Sequence, residues 1–184
     1  MEDQIDVSVV IGTYNRGHML GAALESLMTQ EANGVRYEVI VVDNNSTDNT
    51  REVIHSFAGR NIAVRYIFEG RQGISHARNA GISRSHSPLV AFTDDDIRVA
   101  ADWITTIKRS FDAHPEVGFI GGKVLPVWTE TPPAWLTRDH WMPLGLQDHG
   151  DSQFYLDQNK VIGVISANLA VRRELFDRVG MFTP

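Results

Sequence analysis

The sequence of 184 residues predicts an α/β domain with a mostly parallel central sheet flanked by helices. Short β-branched runs alternate along the chain with segments whose apolar residues recur at helical spacing. This order is typical of parallel sheets with right-handed crossovers. Polar clusters directly follow three of the predicted strands. The expected architecture is Rossmann-like, and ligands of such sheets bind beyond the carboxyl ends of the strands.

The first half of the pattern covers two strands and two helices. Residues 7–11 form a β-branched run typical of a buried strand, and Met19, Leu20, Ala23, Leu24 and Leu27 then recur at helical spacing up to about residue 30. Residues 37–42 form the second strand. The polar turn at 43–48 is suited to begin a helix that runs to about residue 57.

The second half repeats the alternation. Strands are predicted at residues 63–68, 89–92 and 118–125, and helices at about 75–85 and 101–113. Trp103, Ile107 and Phe111 share one face of the last helix. Residues 161–171 regain strand character, and residues 172–179 indicate a short helix.

Residue 125 is the predicted boundary between two regions. Residues 1–125 are predicted to form the α/β domain that binds the ligand, and residues 126–184 a partial region continuous with it. Residues 126–158 are rich in Trp and Pro and weakly periodic, which favours a folded flap. Its Trp128, Trp135 and Trp141 either stack on a ligand or pack in a core. His140 and His149 match no metal-binding spacing.

Composition excludes several classes of function. The chain is 42% hydrophobic and 22% charged, enough for one sizeable core. A net charge of -6 argues against general nucleic-acid binding. Without cysteine there is no disulfide and no thiolate metal site. No apolar run reaches the ~20 residues of a membrane span, and no signal peptide is evident. We expect a cytoplasmic protein, with peripheral association with a membrane left open.

The strongest candidate site is the run Asp94, Asp95 and Asp96, directly after an apolar strand. A hard cation such as Mn2+ or Mg2+ relieves the repulsion between such carboxylates. In an extended segment Asp94 and Asp96 would face one pocket while Asp95 faces away. The alternative is a solvated acidic turn, which the position at a strand end disfavours.

Two further clusters lie at strand ends. Thr13, Tyr14, Asn15 and Arg16 offer a stacking ring, hydrogen bonds and one positive charge to a nucleotide. Asp43 can accept from a ribose hydroxyl or a base N–H. The alternative for Asp43 is a turn or helix cap, but Ser46 and Asp48 are better placed to cap, which would leave Asp43 for a ligand.

The glycines of residues 69–73 permit close approach of the backbone to a ligand. Arg71 and Arg78 offer positive charge to a diphosphate. We interpret His76 and Asn79 as structural, with Asn79 tying its helix to neighbouring loops.

Four blocks carry a resemblance to a known family: VSVVIGTYNR at 7–16, EVIVVDNNSTD at 38–48, GISHARNAG at 73–81 and AFTDDD at 91–96. Their order and spacing resemble the family 2 glycosyltransferases of the A-type glycosyltransferase fold. The segment ISANLAVRRELFDRVGMF at 165–182 is similar to the acceptor-side region of that family.

The resemblance implies a nucleotide-diphosphate sugar as donor, with a UDP-sugar favoured, and a hydroxyl of an unidentified glycan or other molecule as acceptor. It implies metal-dependent transfer with inversion, and it favours polysaccharide biosynthesis. Thr13, Tyr14, Asn15 and Asp43 match positions for base and ribose, and Arg71 and Arg78 lie near the diphosphate. In the family's Asp-x-Asp motif the last carboxylate holds the metal. That carboxylate is Asp96, and Asp95 is the second candidate because the run allows a shift by one.

The family's catalytic base usually lies in an acidic pair downstream of a segment like residues 180–182. That pair is not found before residue 184, so the catalytic residue is unknown. We expect a truncated chain or gene fragment that binds donor and transfers poorly. A non-catalytic nucleotide-sugar-binding module therefore stays open. A dinucleotide-dependent oxidoreductase is disfavoured, since residues 12–17 lack G-x-G-x-x-G.

Overall fold

The computed structural model describes residues 4–156 and 163–184. A central sheet has six strands among these residues, and its spatial order is β3-β2-β1-β4-β6-β5. The strands are β1 (Val7–Thr13), β2 (Tyr37–Asp43), β3 (Ala63–Phe68), β4 (Leu89–Phe92), β5 (Phe119–Gly121) and β6 (Leu169–Arg172). The predicted α/β class with a central sheet and flanking helices is confirmed.

The sheet is mostly parallel, as predicted. β1 pairs in parallel with both β2 and β4, and β2 pairs in parallel with β3. β6 runs antiparallel to both β4 and β5. The parallel strands β1, β2 and β4 therefore present their carboxyl ends along one edge, which is where the polar clusters follow them.

Five helices are described: α1 (Gly17–Met28), α2 (Thr50–His55), α3 (Ile74–Arg84), α4 (Trp103–Ala113) and α5 (Glu174–Val179). Each lies within about two residues of its predicted bounds. The acidic cap of α1 comes from a distant loop, because the Asp48 carboxylate accepts from the amide of Gly17 at 3.1 Å.

Two apolar layers cover the two faces of the sheet. Alternate residues of β1 point to opposite faces, so Val7, Val9 and Ile11 pack with α1 and α4, while Val10 packs with α3. The predicted face of α4 is buried, with Trp103, Ile107 and Phe111 all below 8% exposure. Because both faces are covered, every residue of β2 is buried.

Two strand predictions were too long. The strand expected at 118–125 is limited to Phe119–Gly121. The Gly122 amide still donates to the Asn168 carbonyl at 3.1 Å, but Asn168 belongs to a 3-10 turn, and the strand pairing ends there. In the strand expected at 161–171, residues 161 and 162 lie outside the described part. Residues 163–168 include a 3-10 turn, and only Leu169–Arg172 is a strand.

The Trp- and Pro-rich region has little regular structure in its described part, which ends at residue 156. Two 3-10 turns, Arg138–His140 and Met142–Leu144, follow each other there. A single bridge between Val124 and Gln147 closes the segment. Trp128 and Trp135 are 44% and 67% exposed, so they do not pack in the core. In the described residues no helix has both the length and the apolar character needed to cross a bilayer.

Candidate active site

A cleft of about 540 Å³ opens at the carboxyl edge of the parallel strands. This volume lies within the ~300–1,000 Å³ usual for small-molecule sites. Seven of the ten residues predicted from the sequence to bind substrate or metal line it: Thr13, Tyr14, Arg16, Arg78, Asp94, Asp95 and Asp96. Asn15, Asp43 and Arg71 do not line the cleft.

The aspartate run differs from its prediction in one respect. All three side chains line the cleft, so the expectation that Asp95 faces away is wrong. The segment is a turn, with the Ile97 amide donating to the Asp94 carbonyl at 3.3 Å. Alternation of side chains applies to extended backbone and fails in a turn. Asp95 is in fact the most buried of the three, at 4% exposure.

Arg16 joins two of these carboxylates. Its Nη1 donates to Asp95 Oδ1 at 3.1 Å and to Asp96 Oδ2 at 3.0 Å. The hydrogen bond and charge of Asp95 raise the pKa of the Arg16 guanidinium. The sequence predicted that this arginine would offer its charge to a nucleotide, whereas in this structure the charge is directed at the acidic pair.

The third carboxylate has a different partner. Asp94 Oδ1 lies 3.6 Å from Arg78 Nη2, which also donates to the hydroxyl of Ser166. Burial raises the pKa of Asp94 and lowers that of the Arg78 guanidinium, because both charged forms lose hydration. Arg78 also lies over the ring of Phe182, 5.5 Å from its centroid.

The sequence predicted that Asp43 would be free for a ligand, but both of its carboxylate oxygens already accept hydrogen bonds. Its Oδ1 accepts from the Ser46 amide at 2.9 Å, and its Oδ2 accepts from the Tyr66 hydroxyl at 3.0 Å. Burial and the bond to Asp43 raise the pKa of Tyr66. Asp43 therefore forms the turn that was the alternative to ligand binding, while Asp48 accepts from the Thr50 amide at the start of α2 at 3.0 Å, as expected of a capping residue.

Asn15 links the loops after β1 and β2. Its backbone has a positive φ of 51°, a conformation that asparagine tolerates better than most residues. Its amide donates to Ser46 Oγ at 2.9 Å, and its Oδ1 accepts from the Thr47 amide at 2.7 Å. The residue shapes the rim, and Tyr14 beside it is 47% exposed in the cleft.

Asn44 is a site residue that the sequence reasoning did not single out. Its carboxamide donates to the carbonyls of Glu69 and Arg71 at 3.0 and 2.7 Å, and its Oδ1 accepts from the Gly73 amide at 2.8 Å. These bonds hold the glycine loop against the cleft. The signal available in the sequence was its place immediately after the second strand.

Arg71 does not line the cleft, because its side chain is engaged elsewhere. Its guanidinium pairs with Glu69 through Nε and Nη2 at 3.0 and 3.1 Å. This partner lowers the pKa of Glu69 to about 2. The Arg71 side chain is 71% exposed, so it would have to leave Glu69 to reach a ligand.

The residues present suit a divalent cation that arrives with a diphosphate. Oxygens of Asp95 and Asp96 converge on one cationic atom of Arg16, and the buried hydroxyl of Thr13 has no hydrogen-bond partner within the described chain. Nowhere in residues 4–156 and 163–184 do three or more His, Asp or Glu side chains gather as a metal cage. Mg2+ is commonly held by one or two carboxylates plus substrate phosphates, which this donor set matches.

Asn79 has the structural role that the sequence indicated. Its side chain bonds to the backbone of Phe182, which joins α3 to the last residues of the chain. His140 and His149 pack edge-on against Trp135 and Phe154, with ring centroids 5.8 Å apart in both pairs.

Comparison with known proteins places these features in a family. The model of "Glycosyl transferase family 2" matches residues 8–180. A glucosyl-dolichyl phosphate glucuronosyltransferase of Haloferax volcanii is 28% identical over 176 residues, which cover 95% of this chain and 55% of that protein. The chain thus spans about half of that relative's length.

Solved structures share the fold. Staphylococcus aureus TarS 1-349 in complex with UDP has a TM-score of 0.76 at 20% identity, covering 98% of this chain and 50% of the other. A mannosyltransferase from Pyrobaculum calidifontis in complex with GDP-Man and Mn2+ has a TM-score of 0.71 at 23% identity, covering 99% and 48%. The central sheet and its helices therefore have the A-type glycosyltransferase fold.

Proposed function

Because the chain belongs to glycosyl transferase family 2, we propose that it binds a nucleotide-diphosphate sugar and serves transfer of the sugar to an acceptor hydroxyl. The observation that carries this proposal is the cleft at the strand ends. It gathers an exposed tyrosine, two arginines and three carboxylates within about 540 Å³. An aromatic ring suits a base, and the arginines suit a diphosphate.

Individual residues of the cleft and its rim are proposed to contact the nucleoside, the diphosphate and the metal. Thr13 and Tyr14 contact the nucleoside, with Asn15 and Asp43 shaping the loops that receive it. Arg78, tied to Asp94, faces the diphosphate from the α3 side. Arg71 joins only on leaving Glu69. Asp96 and Asp95 are the carboxylates for a divalent metal, Mn2+ or Mg2+.

When bound, the metal would neutralise charge that builds on the departing nucleoside diphosphate. The chain's own residues hold that leaving group and limit its motion. The acceptor hydroxyl is proposed to attack the anomeric carbon from the opposite face, with inversion. No side chain of the described residues is assigned as the base that removes the acceptor proton.

A thermal-shift series tests donor binding. UDP, GDP and ADP are each added with and without Mn2+, and with Mg2+ in parallel. A ligand at 100 times its Kd raises the free energy of unfolding by about 2.7 kcal/mol, which raises the Tm by several degrees. We expect UDP to stabilise the chain most, and far more with metal than without it. The absence of any shift with all three nucleotides would exclude the proposed site.

Transfer is tested separately from binding. The chain is incubated with labelled UDP-sugars, metal and a panel of hydroxyl acceptors, and release of UDP is followed. Nucleotide binding without release would favour the alternative of a nucleotide-sugar-binding module. UDP release that depends on acceptor would support the transferase.

A further inference from the structure

Arg16 occupies the point at which the acidic pair would hold a cation. A single atom, Nη1, lies 3.1 Å from Asp95 Oδ1 and 3.0 Å from Asp96 Oδ2. The side chain of Asp95 is only 5% exposed. A buried carboxylate without a partner is strongly unfavourable, and in this structure Arg16 is the cation that pairs with Asp95.

The two arginines of the cleft differ in their freedom to move. Arg78 is 16% exposed, and Ser166, Asp94 and the ring of Phe182 all contact it. Arg16 is 49% exposed, and the described contacts of its guanidinium are those with Asp95 and Asp96. Its backbone is fixed, because its carbonyl accepts from Met19 and Leu20 at the start of α1. Its side chain can therefore swing while its anchor stays in place.

We propose that Arg16 is the resting counterion of Asp95 and Asp96, and that a divalent cation takes this place only when a nucleotide diphosphate draws Arg16 away. This inference rests on the proposed function, since it assumes that the cleft receives a diphosphate. A guanidinium forms paired hydrogen bonds with phosphate as readily as with carboxylate, so the same side chain suits both positions.

The consequence is positive coupling between metal and nucleotide. Without nucleotide, a metal ion must displace Arg16 and leave its guanidinium beside another cation. With a diphosphate present, Arg16 exchanges the two carboxylates for phosphate oxygens. The metal can then bind the carboxylates of Asp95 and Asp96 together with phosphate oxygens. Couplings between two ligands commonly reach about 5–150-fold in affinity.

Nucleotide-free Mn2+ binding is the deciding measurement. Free Mn2+ is followed by its electron paramagnetic resonance signal during titration of the wild type, R16Q, R16K and R109Q. Arg109 is exposed, lies outside the cleft and contacts Thr106, so R109Q removes the same charge elsewhere. Circular dichroism and thermal melting confirm that each variant is folded.

We expect R16Q to bind Mn2+ about 10-fold more tightly than the wild type without nucleotide, within the usual range of coupling. R16K and R109Q should both stay within ~3-fold of the wild type, because R16K keeps a cation at the pair. Adding UDP should tighten Mn2+ binding about 10-fold in the wild type and far less in R16Q.

The proposal is overturned if R16Q binds nucleotide-free Mn2+ no more tightly than the wild type, or if R109Q gains as much. If UDP with Mn2+ still stabilises the wild type in that case, only the role proposed for Arg16 is refuted, and the proposed function stands. If UDP and GDP stabilise neither the wild type nor R16Q at any Mn2+ concentration, the proposed function itself fails. Tighter Mn2+ binding by R16Q would still support Arg16 as counterion.

Discussion

The carboxamide of Asn79 forms two hydrogen bonds with the backbone of Phe182, a residue 103 positions away. Nδ2 donates to the Phe182 carbonyl at 2.8 Å, and Oδ1 accepts from the Phe182 amide at 3.0 Å. Arg78, the preceding residue, contacts Ser166. Helix α3 therefore joins the candidate donor cleft to the last part of the chain.

Replacing Asn79 with alanine is expected to lower the free energy of unfolding by about 2 kcal/mol, since each lost hydrogen bond contributes ~1 kcal/mol. Urea unfolding measures this change. Hydrogen exchange should rise at the Phe182 amide. The matched control is N61A, because the Asn61 side chain makes one long hydrogen bond of 3.3 Å to Met28. Equal losses in both variants would contradict a special role for Asn79.

Asn44 holds the loop that forms one wall of the cleft. N44A removes two donors and one acceptor and leaves three backbone groups of Glu69, Arg71 and Gly73 without their partner. We expect a loss of about 2–3 kcal/mol in unfolding free energy, together with weaker nucleotide binding. N44D is the matched variant, because its carboxylate still accepts from Gly73 but donates to neither carbonyl. If N44D matched the wild type in urea unfolding, the two donated bonds would be unimportant.

Gly81 lies where α3 crosses β1. A Cβ added there would be 2.3 Å from Val10 Cγ1, well inside contact distance. Glycine to alanine in a helix normally stabilises by up to ~1 kcal/mol, so the sign of the effect is informative. We expect G81A to destabilise by about 1–3 kcal/mol through overpacking.

A double-mutant cycle identifies the cause. V10A should destabilise by itself through a cavity, while adding it to G81A should recover part of the loss. Strictly additive effects of the two substitutions would place the strain elsewhere. G21A provides the control, because a Cβ at Gly21 of α1 meets no atom within 4 Å.

The sequence predicted the fold well because the spacing of apolar residues, which distinguishes strands from helices, is a local property of the chain. The β-branched runs at β1 and β2 and the apolar face of α4 each marked their element. It predicted the cleft through strand ends, which parallel topology brings together. It failed where contacts decide orientation: Asp95 turned inward to Arg16, and Asp43 bonded Ser46 and Tyr66. No periodicity encodes the long-range pairs Asp95–Arg16 and Asp43–Tyr66.

Asp48 is expected to make stability depend on pH. Hydrogen bonds from the Thr50 hydroxyl, the Gly17 amide and the Thr50 amide lower the pKa of Asp48 below its ordinary 3.8. An acid with a lowered pKa in the folded state stabilises the protein above its unfolded pKa. That contribution is lost as pH falls through the lower, folded value.

D48A should therefore lose about 1 kcal/mol near pH 7, the usual effect of removing a cap. Urea unfolding of both proteins from pH 7 to below pH 3.8 should show the difference in unfolding free energy shrinking. Only the wild type carries Asp48, whose carboxylate becomes protonated in this range and loses its contribution. D48N, which keeps an acceptor without charge, should fall between the two and vary less with pH. A difference that grew as pH fell would contradict this linkage.

Asp96 is expected to carry the metal-dependent part of nucleotide binding. Its side chain is 38% exposed, whereas that of Asp95 is 5% exposed, so D96N removes a charge with little effect on packing. In isothermal titration we expect D96N to lose ~10-fold or more of the UDP affinity that Mn2+ provides, while metal-free affinity changes little.

D95N should lose affinity and also stability, because Asp95 is buried beside Arg16. D112N is the control, since Asp112 pairs with Lys108 on α4 outside the cleft. If D96N kept the full gain from Mn2+, the metal would have to bind through Asp94 and Asp95 instead, and Asp96 would serve only to hold Arg16.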